Sequence, residues 1–80
     1  MNASELKKGQ WAVIRCINGA ETAQRLLEMG FLPGAEIRLT GKGLFGNPLA
    51  FRVGLLHAAL RRNEAAMIEV SEKEETHHRS

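Results

Sequence analysis

Residues 25–34 read Arg-Leu-Leu-Glu-Met-Gly-Phe-Leu-Pro-Gly, a segment that predicts the end of a helix followed by a sharp turn. Gly30 stands where a helix favours a left-handed terminal residue, because glycine has no Cβ to clash at positive φ. Such an ending packs the next residue, Phe31, back on the last helical turn. Pro33 and Gly34 then suit the two central positions of a type II turn. The segment therefore predicts a helix that stops at Gly30 and a chain that reverses into a strand.

Upstream of this segment, the sequence predicts one strand and the helix itself. Trp11–Ile17 is rich in β-branched residues and predicts the first strand, with a bulge near Cys16. We expect Cys16 to lie buried there as a small hydrophobe. After Gly19 the apolar residues change to a helical spacing of three and four, and Asn18 or Thr22 is expected to cap the helix.

Downstream of the turn, alternation of apolar and polar residues predicts four more short strands. They fall at residues 36–40, 49–53, 56–60 and 67–70, with a glycine-rich loop at residues 43–48. Five short strands with one short α-helix inserted after the first predict a mainly β fold, a small SH3-like barrel, with an OB-like barrel as the alternative. We expect residues 1–70 to form this domain and the polar residues 71–80 to form a disordered tail.

Composition limits the classes of function open to the chain. Its 80 residues make one small domain with little room for an enclosed catalytic cleft, and it contains no Asp and no Tyr. It is therefore not expected to be an enzyme. A net charge of +2 and four aromatic residues fall short of what nucleic-acid binding favours. A single cysteine, no bilayer-length apolar run and an N-terminus unlike a signal peptide predict a cytoplasmic protein.

Three segments together resemble the ferrous iron transport protein A family, FeoA. They are residues 25–34, the loop Gly-Leu-Phe-Gly-Asn-Pro at residues 43–48, and Leu-Arg-Arg-Asn-Glu-Ala-Ala-Met-Ile-Glu-Val at residues 60–70. The resemblance extends over residues 6–70. Family members usually carry Ala-Pro-Leu-Gly-Asp-Pro in the loop, so this chain lacks one proline and one aspartate there.

The resemblance implies a cytosolic, non-enzymatic SH3-like domain that serves bacterial ferrous iron uptake. Its implied partner is the FeoB permease, whose cytosolic part includes a GTPase domain, so the chain would meet the inner membrane only through that partner. The same barrel occurs in metal-dependent repressors, which leaves a metal-sensing domain as an alternative. A nucleic-acid-binding small barrel is a second alternative. The sequence does not predict an oligomeric state.

Apolar side chains in the glycine-rich loop are the first candidates for partner contact. Leu44 and Phe45 either fold down to cap the barrel or stay exposed as an interface, as apolar patches on small proteins often do. Gly46 and Pro48 are expected to shape this loop. Met29, at the end of the helix, is a further candidate contact.

Three arginines are the second group of candidates. Arg25, Arg61 and Arg62 are predicted to form a basic patch for an acidic partner, since guanidinium groups bind carboxylates through two parallel hydrogen bonds. The alternative is a set of solvated charges with an internal ion pair to Glu28 or Glu64.

The sequence predicts no resident metal or other cofactor. Cys16, His57, His77 and His78 do not show the spacing of a zinc site, although adjacent histidines at 77 and 78 allow weak binding of divalent metal. Trp11, at the start of a strand, is expected to pack in the core or at the rim of the barrel.

Overall fold

Five strands and two helices make up the computed structural model, which describes residues 1–73. The strands are β1 (Trp11–Ile17), β2 (Glu36–Lys42), β3 (Leu49–Val53), β4 (Leu56–Leu60) and β5 (Ile68–Glu72). The helices are α1 (Ala20–Met29) and α2 (Arg62–Ala65), and short 3₁₀ turns lie at Ala3–Glu5 and Leu44–Gly46. Residues 74–80, most of the predicted tail, lie outside the described residues.

All five strands join one antiparallel sheet in the order β4-β3-β2-β1-β5. The mainly β fold with a helix inserted after the first strand is therefore confirmed. The N-terminus also joins the sheet, because Asn2 bridges Glu69 and the N–H of Val70 donates to the carbonyl of Met1 at 2.9 Å. This contact covers the middle of β5 on its outer side.

Alternation along the strands divides the sheet into a buried face and an exposed face. In β3, Leu49, Phe51 and Val53 point into the core, as predicted, while Arg52 and Ala50 lie on the other side. The buried core combines apolar residues from every strand with α1 and the N-terminal turn. Its largest members are Phe31, Phe51, Leu6, Ile14, Leu26, Ile37, Leu39, Leu49, Leu60 and Ile68.

The predicted bulge in β1 is confirmed. Ile14 pairs with Val70 and Cys16 pairs with Glu69, so Arg15 is the extra residue on β1. The bulge changes the phase of the alternation, and the expectation that Cys16 is buried is wrong: its thiol-bearing side chain is exposed. The side chain of Arg15 donates to the Ser71 hydroxyl at 2.7 Å and so spans the strand pair.

Helix α1 ends as the sequence predicts. Gly30 adopts a left-handed conformation with φ of 116°, the N–H of Phe31 donates to the Leu26 carbonyl at 3.0 Å, and the N–H of Gly30 donates to Leu27 at 3.1 Å. These are the two hydrogen bonds of a Schellman ending. Phe31 is fully buried by this geometry, and Gly34 follows in a left-handed turn conformation.

Two local expectations at the ends of elements are wrong. The start of α1 has no side-chain cap, because Gly19 holds the N-cap position and has no side chain to accept a hydrogen bond. The Asn18 side-chain amide lies one residue earlier and donates to the Glu69 carboxylate at 3.4 Å. Strand β5 continues to Glu72, two residues past the predicted end of this strand at residue 70. Its end is held by the N–H of Lys73, which donates to the Trp11 carbonyl at 3.2 Å.

Neither helix within residues 1–73 has the length and apolar character that crossing a bilayer requires.

Candidate functional site

The loop between β2 and β3 presents two apolar side chains to solvent. Leu44 is 80% exposed and Phe45 is 96% exposed, so neither caps the barrel. Leu44 and Phe45 therefore fit the exposed-interface alternative of the sequence analysis. An apolar ring held almost wholly in water is unfavourable unless something covers it, which makes this loop the strongest candidate contact.

Backbone hydrogen bonds and one close contact fix the loop conformation that exposes Leu44 and Phe45. The N–H of Gly43 donates to the Pro48 carbonyl at 2.7 Å and the N–H of Gly46 donates to Gly43 at 2.9 Å. A Cβ on Gly43 would lie 2.7 Å from the Asn47 carbonyl oxygen, so only glycine fits there. The Asn47–Pro48 peptide bond is cis.

Phe45 itself has an unusual backbone conformation. Its φ of 60° and ψ of 24° lie in the left-handed region, which a bulky side chain rarely occupies. Strain of this kind costs about 1–3 kcal/mol and is retained most often at functional positions. The conformation at Phe45 therefore destabilises the loop, and the side chain gains no packing within the described chain in return.

Arg62 anchors the loop to the rest of the fold. Its backbone N–H donates to the Asn47 side-chain oxygen at 3.1 Å, and its guanidinium donates to the carbonyls of Gly46 at 3.0 Å and Ser4 at 3.3 Å. These bonds occupy donors that a partner would otherwise use. The structure therefore gives Arg62 a role in positioning the loop.

Arg25 is also engaged within the chain. It forms an ion pair with Glu64 at 2.5 Å, which is one of the internal pairs considered from the sequence. Glu64 accepts a second hydrogen bond, from the backbone N–H of Arg61 at 2.9 Å. The Arg61 backbone bond, followed by the bond and charge of Arg25, lowers the pKa of the Glu64 carboxyl despite partial burial.

The three arginines of the predicted patch therefore have different roles. Arg25 pairs with Glu64 and Arg62 binds carbonyls, whereas the Arg61 side chain forms no hydrogen bond or ion pair within residues 1–73. Arg61 lines a shallow depression of about 310 Å³ with Asn47 and Pro48, directly beside the loop. We call Leu44, Phe45, Asn47, Pro48 and Arg61 the loop surface.

Met29 does not lie on the loop surface. It is 39% exposed and precedes Gly30, which lines a groove at the other end of the sheet. That groove also includes Leu55, in the two-residue turn after β3, whereas Phe45 lies in the loop before β3. Strand β3 spans about 16 Å, so Met29 and Phe45 belong to separate surfaces.

Sequence reasoning missed Leu55, which is 92% exposed. Val53 pairs with Leu56, so Gly54 and Leu55 form the whole β3–β4 turn. The spacing of two alternating strands separated by two residues carries this signal in the sequence. Trp11, 37% exposed, lies in the same groove and is neither a core residue nor a fully displayed one.

Potential metal ligands do not gather anywhere in residues 1–73. No group of three or more His, Cys, Asp or Glu side chains with suitable geometry occurs there. The predicted weak ligands His77 and His78 lie outside the described residues.

Comparisons with known proteins agree on one family. A family model described as FeoA domain matches residues 1–72. An Fe(2+) transport protein A/Fe(2+) transporter FeoB fusion protein from Porphyromonas gingivalis is 38% identical over 71 residues. Those residues are 88% of this chain and 8% of that protein, so the chain corresponds to one small part of the fusion.

Solved structures agree with the family model. FeoA of Stenotrophomonas maltophilia, solved in complex with zinc and described as an SH3 domain protein, is 37% identical with a TM-score of 0.81, covering 89% of each chain. An FeoA-like protein from Clostridium acetobutylicum is 28% identical with a TM-score of 0.85, covering 99% of this chain and 93% of that one. A manganese-dependent repressor, 13% identical, shares the fold alone. The SH3-like architecture is confirmed, and the chain belongs to the FeoA domain family.

Proposed function

We propose that this chain is a cytoplasmic, non-enzymatic accessory protein of ferrous iron uptake that binds the cytosolic part of a FeoB-type permease. Membership in the FeoA family supports the role in iron transport. The Porphyromonas gingivalis fusion supports the choice of partner, since fusion holds two domains at high effective concentration and favours pairs that act together.

The loop surface is the part of the chain that we assign to this contact. Phe45 carries the argument, because it is both the most exposed large apolar side chain and one held in a strained conformation. Aromatic anchors of this kind, once buried in a partner pocket, account for most of the affinity of many interfaces. Arg61 beside it is available for a carboxylate on the permease.

Binding of the full chain to the purified cytosolic part of the permease tests this assignment. Phe45→Ser should weaken binding about thirty-fold, the equivalent of losing about 2 kcal/mol of contact. Leu55→Ser is the matched control, because Leu55 is equally apolar and nearly as exposed but lies at the opposite end of β3. Equal losses for the two variants, or no loss for Phe45→Ser, would refute the loop surface.

Arg61→Glu examines the electrostatic part of the contact. Reversing this charge should weaken binding to the permease more at low salt than at high salt, because dissolved salt screens exposed ion pairs. The rate of GTP hydrolysis by the permease with and without the chain then distinguishes a regulator from a scaffold.

The proposal includes no resident metal cofactor. Titration of the full chain with ferrous iron should show only weak binding, and replacing His77 and His78 together by Ala should remove it. Tight ferrous binding that survives this double substitution would contradict the proposal and indicate a preorganised site.

A further inference from the structure

One rung of the sheet carries a row of basic and aromatic side chains. Trp11 on β1 pairs with Arg38 on β2, Arg38 pairs with Arg52 on β3, and Arg52 pairs with His57 on β4. Directly paired residues point to the same face of an antiparallel sheet. We call these four residues the basic row; it lies on the face opposite the core.

The two arginines of the basic row lack compensating charge. Like charges directly opposite each other destabilise a strand pair. Within residues 1–73 neither Arg38 nor Arg52 forms an ion pair. Glu36, the nearest acidic residue along the same face of β2, is engaged by Lys73. The sheet therefore bears a local excess of positive charge that its own carboxylates leave unbalanced.

The hydrogen-bonding capacity of these guanidinium groups is also incompletely used. Arg52 donates from Nε to the Gly54 carbonyl at 2.9 Å, and its two terminal nitrogens have no hydrogen-bond partner within residues 1–73. The Nε atom of Arg38 is buried and has no partner in the described chain. The guanidinium carbon of Arg38 lies 5.3 Å from the centre of the Trp11 ring, so the aromatic face holds the group in place.

An apolar groove adjoins one end of the basic row. It has a volume of about 620 Å³ and includes Trp11, Val53 and Leu55 along with Arg52. Glu36 also lines this groove, and Lys73 pairs with its carboxylate. In the other direction along β3 and β4, the next pair on this face is Ala50 and Ala59, and Ala50 also pairs with Gly41 on β2. These small residues leave the partly exposed arginines accessible from that side. Positive charge and apolar surface thus lie side by side on this face.

We propose that the basic row and its groove bind an acidic peptide segment with an apolar side chain next to its carboxylates. The carboxylates bind Arg38 and Arg52, and the apolar side chain enters the groove between Trp11 and Leu55. The charge of the row selects carboxylates, because planar guanidinium groups match them in charge and geometry. This surface is separate from the loop surface and does not rest on the proposed function.

A peptide fits this face better than a nucleic acid does. Single-stranded nucleic acid binds several exposed aromatic rings in succession. Trp11 is the one aromatic residue of the basic row, and Arg38 already occupies one of its faces. Phe31 and Phe51 are buried, and Phe45 lies at the other end of β3.

The fluorescence of Trp11, the sole tryptophan of the chain, provides a direct readout. The probes are an octapeptide of Glu and Leu, the same peptide with Gln in place of every Glu, the same peptide with Ser in place of every Leu, and an oligouridine octamer. The acidic peptide with Leu should bind saturably, at least ten-fold more tightly than the Gln peptide and several-fold more tightly than the Ser peptide. Its affinity should fall with added salt.

Variants of the row locate the binding. Arg52→Gln and Arg38→Gln should each weaken the acidic peptide at least five-fold, and Arg38→Lys should give an intermediate loss because it keeps charge without the planar group. Arg61→Gln, at the other end of the sheet, should leave the affinity unchanged. If Arg38→Gln fails to fold, as circular dichroism would show, Arg52→Gln decides the question.

Several results would overturn the proposal. They are equal affinity for the Glu and Gln peptides, unchanged affinity in Arg52→Gln, tighter binding of oligouridine than of the acidic peptide, or no saturable change with any probe. The titration contains no permease, so none of these results depends on the proposed function.

Discussion

Arg25 on α1 and Glu64 on α2 form an ion pair that ties the inserted helix to the turn following β4. The same Glu64 carboxylate accepts the backbone N–H of Arg61 at the start of α2. One side chain therefore both caps a one-turn helix and connects two elements that are 39 residues apart in sequence. This pairing makes Glu64 a structural carboxylate with a measurable dependence on pH.

Replacing Glu64 by Gln should lower the free energy of unfolding by about 1 kcal/mol at pH 7, the combined effect of a partly exposed ion pair and a capping bond. Because folding lowers the pKa of Glu64, its stabilising contribution is complete above the ordinary carboxyl range and disappears as pH falls through the folded-state pKa. Urea denaturation at pH 7 and pH 3 should show the difference between the two proteins shrinking with acid. Glu28→Gln is the control, because Glu28 lies on α1 with Arg25 but forms no ion pair in residues 1–73, and it should show no such difference. A constant gap for Glu64→Gln across this range would contradict the assignment.

Replacing Gly30 by Ala should cost about 1–2 kcal/mol, because a Cβ is unfavourable in the left-handed conformation. The space itself is adequate, since the added atom would lie 3.6 Å from a Leu56 methyl group. Backbone strain is therefore the only expected cause. Gly41→Ala is the control: its φ is outside the left-handed range and its Cβ would lie 4.0 Å from Ala50, so its stability should stay within about 0.5 kcal/mol of the parent. Similar losses in both variants, measured by thermal denaturation, would exclude this explanation.

Replacing Arg62 by Gln should destabilise the protein by about 1–2 kcal/mol, since two carbonyls lose a charged donor. Arg61→Gln, which removes no hydrogen bond of the described chain, should be close to neutral. Chemical denaturation of the two variants measures the contrast. If Arg62→Gln is neutral and Arg61→Gln is not, the positioning role of Arg62 is wrong.

Replacing Phe45 by Gly should leave stability unchanged or raise it by up to about 1 kcal/mol, because glycine adopts φ of 60° without strain and no packing is lost. Permease binding should nevertheless fall, as for Phe45→Ser. Such a separation of stability from binding distinguishes a displayed contact from a structural residue. A loss of stability above about 1 kcal/mol would show that the ring packs against the chain in solution.

The sequence predicts the strands well because alternation is a local signal. The alternation within a single strand is enough to predict which side chains face the core, as it does for Leu49, Phe51 and Val53 in β3. The ending at Gly30 is equally local, since backbone geometry alone demands it. The direction of the Cys16 side chain is not a local property. It depends on the bulge at Arg15, which changes the alternation of β1 through the pairing of β1 with β5.

The candidate surfaces are predicted less completely, for a related reason. The exposure of Phe45 follows from the conformation of its loop, which the sequence leaves open between two arrangements. The basic row depends on register: Arg38 and Arg52 are 14 residues apart, and only the length of the β2–β3 connection and the bulge near Gly41 place them side by side. Arg25 and Arg62 look like free charges in the sequence because their partners, Glu64 and two backbone carbonyls, are distant along the chain.

The bridge from Asn2 to Glu69 has a consequence for how copies of this domain meet at high concentration. The N-terminal residues cover the middle of β5, whereas β4 makes no backbone hydrogen bond on its outer side within residues 1–73. Strand addition from a second copy is therefore favoured at β4 over β5.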